Sequence, residues 1–259
     1  MMSSSTSRTD PIRAVTFDVG GTLIEATPSV GSIYASVCRA HGVEVRAEAC
    51  DRLFETAWYG RGAALPPGCD RFSSTPGGED GWWRSVVLEV LEGCGVPRPL
   101  APPIEAFRSA FASPSAWRVF DDVPSTMEVL RRRGCRLGVV SNWDSRLPGL
   151  LDRLGLAVHF DSVVCSAIER VEKPHPRIFE RVVEELGVPA AEILHVGDDI
   201  RADYQGATAA GMSALWIDRG GGVPSGVPAV HADRIVTSIA QVVGRLNGAG
   251  GPPDRARKG

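Results

Sequence analysis

Short apolar runs alternate with amphipathic segments along the chain from Ile12 onwards. This alternation is typical of a parallel sheet whose strands are joined by crossover helices. Five runs are almost continuously apolar, as strands buried on both faces of a sheet must be. They predict strands at residues 13–19, 135–141, 160–165, 192–197 and 213–217. The pattern therefore predicts a protein of the α/β class with a parallel sheet.

Two apolar stripes with helical spacing lie between these predicted strands. The first consists of Leu147, Leu150, Leu151 and Leu154 and ends at Gly155; the second consists of Ile178, Val182 and Leu186 and ends at Gly187. Glycine commonly follows the last turn of a helix. The stripes therefore predict crossover helices whose apolar faces pack on the sheet.

The stretch between Thr22 and Asp122 interrupts the alternation, because it has no convincing strand and several helical patterns. One helix is indicated by Trp83, Val86, Val87, Val90 and Leu91, and another by Ile33 and Val37. Residues 60–78, rich in Gly and Pro, indicate a flexible connection. We predict an α-helical cap at residues 26–114, inserted into an α/β core at 12–25 and 115–247. The ends, 1–11 and 248–259, are predicted to be disordered tails.

The composition is that of an ordinary globular protein, with 43% hydrophobic and 23% charged residues among 259. No apolar run is long enough to span a membrane, and the first eleven residues lack the apolar stretch of a secretory signal. The six cysteines are scattered without a C-x-x-C pair, which favours reduced thiols. We therefore expect a cytoplasmic protein without a membrane partner.

The formal net charge of −3 provides no electrostatic footprint for nucleic acid, and we expect no such partner. The main basic run, Arg131 to Arg133, follows a helical pattern. Cations are stabilised at the carboxyl end of a helix. We interpret this run as the solvated last turn of an amphipathic helix.

Polar residues follow the predicted strands at the points where these strands end. The segments are Asp18-Val-Gly-Gly-Thr22, Ser141-Asn142, Lys173-Pro174, and Gly197-Asp198-Asp199 with Asp203 following. In an open parallel sheet, reactive residues collect beyond the carboxyl ends of the strands. Each residue alone would pass as a strand-end cap, a turn residue or a surface charge. Together they predict one acidic site that also contains a hydroxyl and a lysine.

Clustered carboxylates repel one another unless a cation lies among them. Mg²⁺ is a hard ion that prefers oxygen ligands and keeps several of its waters. Asp18, a backbone carbonyl and Asp198 would therefore suffice to hold it when a substrate phosphate completes the coordination shell. The sequence predicts Mg²⁺ as the cofactor.

These segments resemble the four motifs of the haloacid dehalogenase-like (HAD) hydrolase superfamily, in the same order, over about residues 12–217. The cap inserted after the first motif resembles that of the superfamily's capped subfamily I. Further stretches, Arg39-Ala-His-Gly-Val-Glu-Val45, Trp82-Trp83, Val140-Ser-Asn142, His195-Val-Gly-Asp198 and Asp203-Tyr-Gln-Gly206, look like those of the subfamily of haloacid dehalogenase-like hydrolase domain-containing protein three. The resemblance implies a Rossmann-like core with a helical cap.

The resemblance also implies a mechanism, in which Asp18 attacks the phosphorus of a small phosphorylated substrate and the resulting aspartyl phosphate is hydrolysed by water. Mg²⁺ and Lys173 would hold the charge. The groups implied in phosphate binding are Gly21, Thr22, Ser141, Asn142 and Lys173. The implied metal ligands are Asp18, the Gly20 carbonyl and Asp198, with Asp199 or Asp203 ordering the metal's waters and the lysine.

One position departs from the superfamily's phosphatases, which carry a second Asp two residues after the nucleophile, where this chain has Gly20. That Asp is the general acid and base, and such a group contributes roughly 10² to 10⁴-fold in rate. Gly20 still offers its carbonyl to the metal but has no proton to give. The resemblance therefore implies a phosphoric monoester hydrolase with weak or selective turnover.

Two other activities of the superfamily also involve a change at this position. Members that act on 2-haloacids carry Tyr there and generally lack the acids that this chain keeps as Asp198 and Asp199. Members that hydrolyse phosphonoacetaldehyde carry Ala and need a lysine in the cap, whereas the two lysines here, Lys173 and Lys258, lie outside it. The alternative that stays open is a weak or inactive protein that binds a phosphorylated ligand or a protein partner.

A borrowed general acid would have to come from the cap side of the site. Glu25, Tyr34 and His41 are the candidates, although a surface or packing role is the simpler interpretation of each. Four aromatic residues, Trp58, Tyr59, Trp82 and Trp83, either line a pocket or hold the cap together, and packing is the simpler interpretation here too. His195 alternates into the sheet and is predicted to be a core histidine with satisfied hydrogen bonds.

Overall fold

The computed structural model describes residues 11–220 and 230–246, and these contain eight strands. They are β1 (Ala14–Phe17), β2 (Ile24–Ala26), β3 (Trp117–Val119), β4 (Arg136–Ser141), β5 (Ser162–Cys165), β6 (Ile193–Gly197), β7 (Ser213–Ile217) and β8 (Ile235–Val236). Six form a parallel sheet in the order β5-β4-β1-β6-β7-β8. The other two, β2 and β3, pair antiparallel. Apart from Pro11, the two predicted tails lie outside the described residues.

The same residues contain ten α-helices, none of which is long and apolar enough to cross a membrane. Four lie between β2 and β3: α1 (Val30–Ala40), α2 (Ala47–Ala63), α3 (Gly78–Gly93) and α4 (Ile104–Ala112). Six follow β3: α5 (Val123–Arg132), α6 (Leu147–Arg153), α7 (Ser166–Glu169), α8 (Pro176–Leu186), α9 (Gly206–Ala209) and α10 (Val242–Arg245). A π-helical turn, Ile200–Gln205, precedes α9.

Both faces of the sheet are covered by helices, which explains why most residues of its strands are apolar. Phe17 and Val139 on one face join the apolar cluster of α5, α6 and α10. Val140 on the other face packs with Ile178 and Val182 of α8. The α/β class and the parallel-sheet core predicted from the alternation of apolar runs are therefore confirmed.

Three strands escaped the sequence analysis. The sixth strand of the sheet, β8, has only two residues, and β2 and β3 have three each. Runs this short carry no readable alternation. The expectation that the stretch from Thr22 to Asp122 has no strand was wrong, because β2 and β3 form an antiparallel ribbon at its two ends, with Ala26 opposite Trp117.

The cap has its own apolar cluster, built around Tyr34, Phe72, Trp82 and Phe107. Helix α2 continues through Gly60 to Ala63, so the predicted flexible connection begins later than the sequence indicated. A side chain at Gly62 would meet the Arg71 guanidinium, with its Cβ 2.7 Å from Nη2. This glycine therefore leaves room for an arginine that crosses the cap.

Asp122 connects the segment at Ser238 and Ile239 to the core through hydrogen bonds. Its carboxylate accepts hydrogen bonds from the Arg219 guanidinium, from the Ser238 hydroxyl at 2.6 Å and from the Ile239 N–H at 2.8 Å. Burial acts to raise the pKa of Asp122, but these donors outweigh it and lower the pKa below its ordinary value.

We expect Asp122→Asn to lower the free energy of unfolding by about 1–3 kcal/mol at neutral pH, because an amide cannot accept all of these bonds. A carboxyl whose pKa is lowered by folding stabilises the protein above its ordinary pKa of about 4 and loses that effect as the pH falls. The gap between variant and parent in urea unfolding should therefore shrink towards about pH 3. A gap that is constant with pH would contradict this account.

Candidate active site

Three adjacent strands bring the predicted site residues together at one edge of the sheet. Strand β1 lies between β4 and β6, with Phe17 opposite both Val139 and Val196. Asp18 follows β1, Ser141 ends β4 and Asp198 follows β6. Because all three strands are parallel, their carboxyl ends meet at the same place.

Lys173 enters this site from the loop that follows α7, and its side chain is buried. Its Nζ donates to Asp18 Oδ1 at 2.6 Å, to Asp203 Oδ1 at 2.5 Å and to the Val140 carbonyl at 2.9 Å. The two carboxylates raise the pKa of Lys173 against the opposing effect of burial. The ammonium is therefore charged and fixed beside Asp18.

Asp203 is held from three directions. Its Oδ1 accepts from Lys173 and from His195 Nε2 at 3.1 Å, and its Oδ2 accepts from the Asp199 backbone N–H at 3.0 Å. His195 is fully buried and its Nδ1 lies 2.9 Å from the Thr16 hydroxyl, so both ring nitrogens have partners. The structure thus places His195 in the core, as expected, and adds that it supports the carboxylate that holds the lysine.

Asp199 lies beside the site, but its carboxylate accepts hydrogen bonds from the backbone. Its Oδ1 accepts from the N–H groups of Arg201 and Ala202, both at 2.8 Å, and so caps the π-helical turn. Of the two acids expected to order the lysine, Asp203 alone makes that contact.

Asp198 has few partners within the described residues. Its Oδ1 lies 3.4 Å from the Thr22 hydroxyl, which is a weak hydrogen bond. Gly21 has φ of 69°, and a side chain there would collide with the Asp198 carboxylate. Gly21 and Thr22 therefore bring the backbone of the first motif close to Asp198.

Burial raises the pKa of two of the three carboxyls. The pKa of Asp18 is raised by burial, although Lys173 opposes this, and the pKa of Asp198 is raised well above its ordinary value by burial and by the charges of Asp18 and Asp203. Burial acts in the same direction on Asp203, but Lys173 and His195 outweigh it and bring its pKa to about 2. The single positive charge of Lys173 is thus not enough to neutralise these three carboxyl groups.

A hard divalent cation would relieve this charge. Asp18, Asp198 and Asp203 each offer an oxygen, and these oxygens lie within 4.8 Å of one another. Asp203 already has partners on both oxygens, whereas Asp198 is nearly unpartnered. Asp18 and Asp198 are therefore the side chains that fit the preference of Mg²⁺ for carboxylate oxygen.

Two residues expected at the phosphate have other contacts here. Asn142 uses both ends of its amide on the backbone of Lys173, donating to its carbonyl at 3.0 Å and accepting from its N–H at 2.8 Å. The Thr22 hydroxyl faces Asp198. Ser141 is buried at the end of β4, near Asp18, and its hydroxyl tends to lower the pKa of that carboxyl. Ser141 is therefore the hydroxyl that lies beside the predicted nucleophile.

An indole ring lies close to Gly20, the position at which the superfamily's phosphatases are expected to carry a second Asp. A Cβ at Gly20 would lie 3.2 Å from Cζ3 of Trp143, a residue that sequence analysis did not single out. The Trp143 ring packs against Trp117 of β3, with ring centroids 5.1 Å apart. The first side-chain atom of any residue at position 20 would therefore contact an aromatic ring.

A cavity of about 990 Å³ lies between the cap and this edge of the sheet. Three of the four aromatic residues considered earlier, Trp58, Tyr59 and Trp83, line it, and Trp82 is buried in the cap cluster. Tyr59 lines the cavity but keeps 57% of its surface exposed to solvent.

The three cap-side candidates for a borrowed acid have different surroundings. Glu25 lines the cavity and pairs with Arg118 across the β2–β3 ribbon. Tyr34 is fully buried in the cap, and His41 hydrogen-bonds through Nδ1 to the Val37 carbonyl at 2.9 Å. Neither Tyr34 nor His41 lines the cavity, which leaves Glu25 as the one candidate of the three at the site.

A buried ion pair joins the cap to the loop that carries the lysine. Arg71 donates to Glu172 Oε2 from Nε at 2.9 Å and to Oε1 from Nη2 at 3.1 Å, and its guanidinium lies 4.0 Å from the centre of a Trp58 ring. Nothing in the local sequence could reveal this pair, because its members are 101 residues apart.

The comparisons with known proteins agree with this architecture. A family model described as haloacid dehalogenase-like hydrolase matches residues 12–211. The chain is 35% identical over 240 residues to haloacid dehalogenase-like hydrolase domain-containing protein 3 of Mus musculus, a match that covers 91% of this chain and 94% of that protein. The chain therefore belongs to the haloacid dehalogenase-like hydrolases, and the resemblance inferred from its motifs is confirmed.

Relatives with different activities share the fold. The chain is 31% identical to the phosphoserine phosphatase of Thermus thermophilus, over 81% of this chain and 90% of that protein. The crystal structure of a HAD phosphatase from Thermococcus onnurineus matches 92% of this chain and 99% of its own, at 25% identity and a TM-score of 0.63. A defluorinating L-2-haloacid dehalogenase matches 91% of this chain and 95% of its own, at 20% identity and a TM-score of 0.73, and shows the fold alone.

Proposed function

We propose that this protein is a magnesium-dependent phosphatase that hydrolyses a small phosphoric monoester through an aspartyl phosphate on Asp18. The observation that carries the proposal is the position of the Asp18 carboxylate, which lines the cavity, lies 2.6 Å from Lys173 Nζ and is close to Asp198. A carboxylate nucleophile needs a neighbouring positive charge to accept an anionic phosphoryl group, and this site supplies one in fixed position.

The other residues would act around this nucleophile. Lys173, fixed by Asp203 and the Val140 carbonyl, would offer its charge to the phosphoryl oxygens. The Ser141 hydroxyl would donate to the same oxygens. Asp18 and Asp198 would hold Mg²⁺, with the Gly20 carbonyl as a further ligand, and the metal would supply charge neutralisation at the transferring phosphoryl group.

The phosphatases among the relatives support this proposal over a dehalogenase. The phosphoserine phosphatase of Thermus thermophilus is similar over most of both chains. The dehalogenase structure is only 20% identical and carries no weight beyond the fold. The acidic pair of Asp18 and Asp198 also gives this chain a metal site, for which a phosphate substrate has a use.

Gly20 limits what such an enzyme can cleave. Without a general acid, a leaving oxygen departs as an anion, so esters of good leaving groups are favoured. The absence of an acid at Gly20 also favours a second candidate, a protein that binds a phosphorylated ligand without turnover. The retained pair of Asp18 and Lys173 supports the enzyme.

Phosphate release from acyl, aryl and alkyl phosphates, with and without Mg²⁺, tests the proposal directly. We expect Mg²⁺-dependent release from acyl and aryl phosphates, lost on chelation, and little release from alkyl phosphates. Rapid release from alkyl phosphates would instead indicate an acid supplied by the cap, with Glu25 the first residue to replace. No release from any of the three classes would leave the binding protein as the remaining function.

The metal site has a separate test that does not depend on turnover. We expect Asp198→Asn to weaken Mg²⁺ binding, measured by isothermal titration calorimetry, by at least about 10-fold. Asp199→Asn is the matched control, because it removes the same charge from the next residue, whose side chain caps a helical turn. Equal losses in the two variants would indicate a general charge effect and contradict direct ligation by Asp198.

A further inference from the structure

The cavity is larger than a phosphoryl group needs. Small-molecule sites in proteins have volumes of about 300–1,000 Å³. This cavity of about 990 Å³ lies at the upper end of that range and includes Asp18, Ser141 and Asp198. A phosphoryl group at Asp18 fills a small part of the space, so the rest is available to the leaving group.

Aromatic side chains line this space from both sides. Trp143, whose ring lies next to Gly20, and Trp117, which packs on it, lie on the core side. Trp58, Tyr59 and Trp83 lie on the cap side. Aromatic faces bind flat rings by stacking and by burial of apolar surface. The leaving-group part of the cavity therefore suits a flat ring system.

The arginines along the cavity are engaged by protein groups. Arg71 pairs with Glu172, and Arg146 contacts both carboxylate oxygens of Asp144, from Nε at 3.0 Å and from Nη2 at 2.6 Å. Arg153 donates from Nη2 to a backbone carbonyl at 3.1 Å. The guanidinium groups of Arg71 and Arg146 are already paired with carboxylates and are poor partners for a second anionic group on the substrate, whereas Arg153 is exposed.

The remaining charges along the described cavity also disfavour an anionic leaving group. Arg201 lies exposed at the rim, whereas Asp51 and Glu55 of α2 line the cap side. A carboxylate or second phosphate on the substrate would be repelled by these acids. The cavity therefore suits a leaving group without charge.

Gly20 adds an independent chemical constraint. With no carboxyl to protonate the leaving oxygen, the P–O bond breaks readily only if the departing anion is stable. A phenolate is more stable than an alkoxide because its ring delocalises the charge. The shape of the cavity and the loss of the acid thus favour the same substrate.

On the basis of the proposed phosphatase function, we infer that the protein selects aryl phosphate monoesters whose leaving group is an uncharged ring system bound beside Trp143. The Asp18 oxygen forms a bond to phosphorus as the P–O(aryl) bond breaks, and the phenolate keeps the electron pair and takes a proton from solvent. Water then hydrolyses the aspartyl phosphate. One ester and one water thus give one phenol and one phosphate.

The wild-type protein with Mg²⁺ provides the first test, using naphthyl, phenyl and acetyl phosphate. Naphthol and phenol are leaving groups of similar stability, so the comparison isolates the contribution of the second ring. We expect kcat/KM for naphthyl phosphate to exceed that for phenyl phosphate by about 10-fold, chiefly through KM. Acetyl phosphate has a good leaving group without a ring and reports phosphatase activity alone.

Variants of Trp143 provide the second test. We expect Trp143→Leu to lower the ratio of kcat/KM for naphthyl to that for acetyl phosphate by about 10-fold, and Trp143→Phe to keep most of it, because a ring remains. Trp82→Phe is the matched control, since it shrinks a tryptophan that is buried in the cap and does not line the cavity.

The outcomes separate this inference from the function on which it rests. Release from acetyl phosphate without a preference for naphthyl over phenyl would overturn the inference and leave the phosphatase intact. Equal changes of the ratio in Trp143→Leu and Trp82→Phe would also overturn it. No release from acetyl phosphate or either ester would overturn the phosphatase itself. If Trp143→Leu does not fold, the wild-type comparison decides alone.

Discussion

Replacement of Asp18 by Asn is expected to lower phosphate release by roughly 10⁴-fold or more, because removal of a nucleophile abolishes the covalent route. Asn has the shape of Asp but neither its charge nor its nucleophilic oxygen. Lys173 keeps its contacts with Asp203 and with the Val140 carbonyl, so the site should retain its form. Release is measured as inorganic phosphate under saturating acetyl phosphate and Mg²⁺.

Asp121→Asn is the matched control for this variant, because Asp121 is exposed and the same chemical change there touches no part of the site. Both variants should melt cooperatively. Activity that survives in Asp18→Asn at more than a few per cent would show that another residue is the nucleophile. Activity lost equally in Asp121→Asn would point to damage unrelated to the site.

The second large effect concerns the missing acid. We expect Gly20→Asp combined with Trp143→Ser to raise kcat for alkyl phosphates by about 10² to 10⁴-fold, the usual contribution of a general acid. Gly20→Asp alone should gain less, because its Cβ would lie 3.2 Å from the Trp143 ring, which must move to admit the carboxyl. Gly20 is not among the residues with positive φ, so the backbone accepts a side chain there.

Gly20→Asn with Trp143→Ser separates proton donation from a change of shape. Asparagine fills the same space but cannot act as an acid. A gain in alkyl phosphate turnover that is equal in the Asp and Asn double variants would attribute the effect to the wider cavity. No gain in either, with Mg²⁺ binding intact, would show that Gly20 is not what limits the leaving group.

The sheet could be predicted because its strands are buried on both faces. The runs that became β1, β4 and β6 are almost continuously apolar, as strands buried on both faces of a sheet are. The ribbon of β2 and β3 could not be predicted in this way. Its strands are three residues long and partly exposed, so they form where the ends of the cap meet the core rather than from their own pattern.

The chemistry at the strand ends was predictable for a related reason. Asp18, Ser141 and Asp198 each follow or end a strand of the sheet, so a correct prediction of the strands predicts that these residues meet. Lys173 was expected at the same edge because it follows the strand seen here as β5, although α7 and a loop separate it from the end of that strand. The structure brings it to 2.6 Å from Asp18, through a loop whose course the sequence does not specify.

The orientation of side chains, and their contacts with residues distant in the sequence, could not be predicted from the sequence. Asn142 was expected at the phosphate, but its amide binds the backbone of Lys173, 31 residues away. Trp143 is the next residue after Asn142, and its neighbours in the sequence do not indicate that its ring lies against Gly20. Both contacts depend on how distant loops pack, and that information is distributed over the whole fold.

The antiparallel ribbon has a consequence for how such a protein can change over evolution. The chain leaves the core at Ala26 and returns at Trp117, and these two residues are direct neighbours across the ribbon. The pairing of these residues holds the two ends of the cap segment together. The entropic penalty of bringing those ends together grows only slowly with the length of the insertion. A different cap could therefore be inserted between these two points without altering the core. Trp117 and Trp143 belong to the core, so they would line the cavity beneath any such cap.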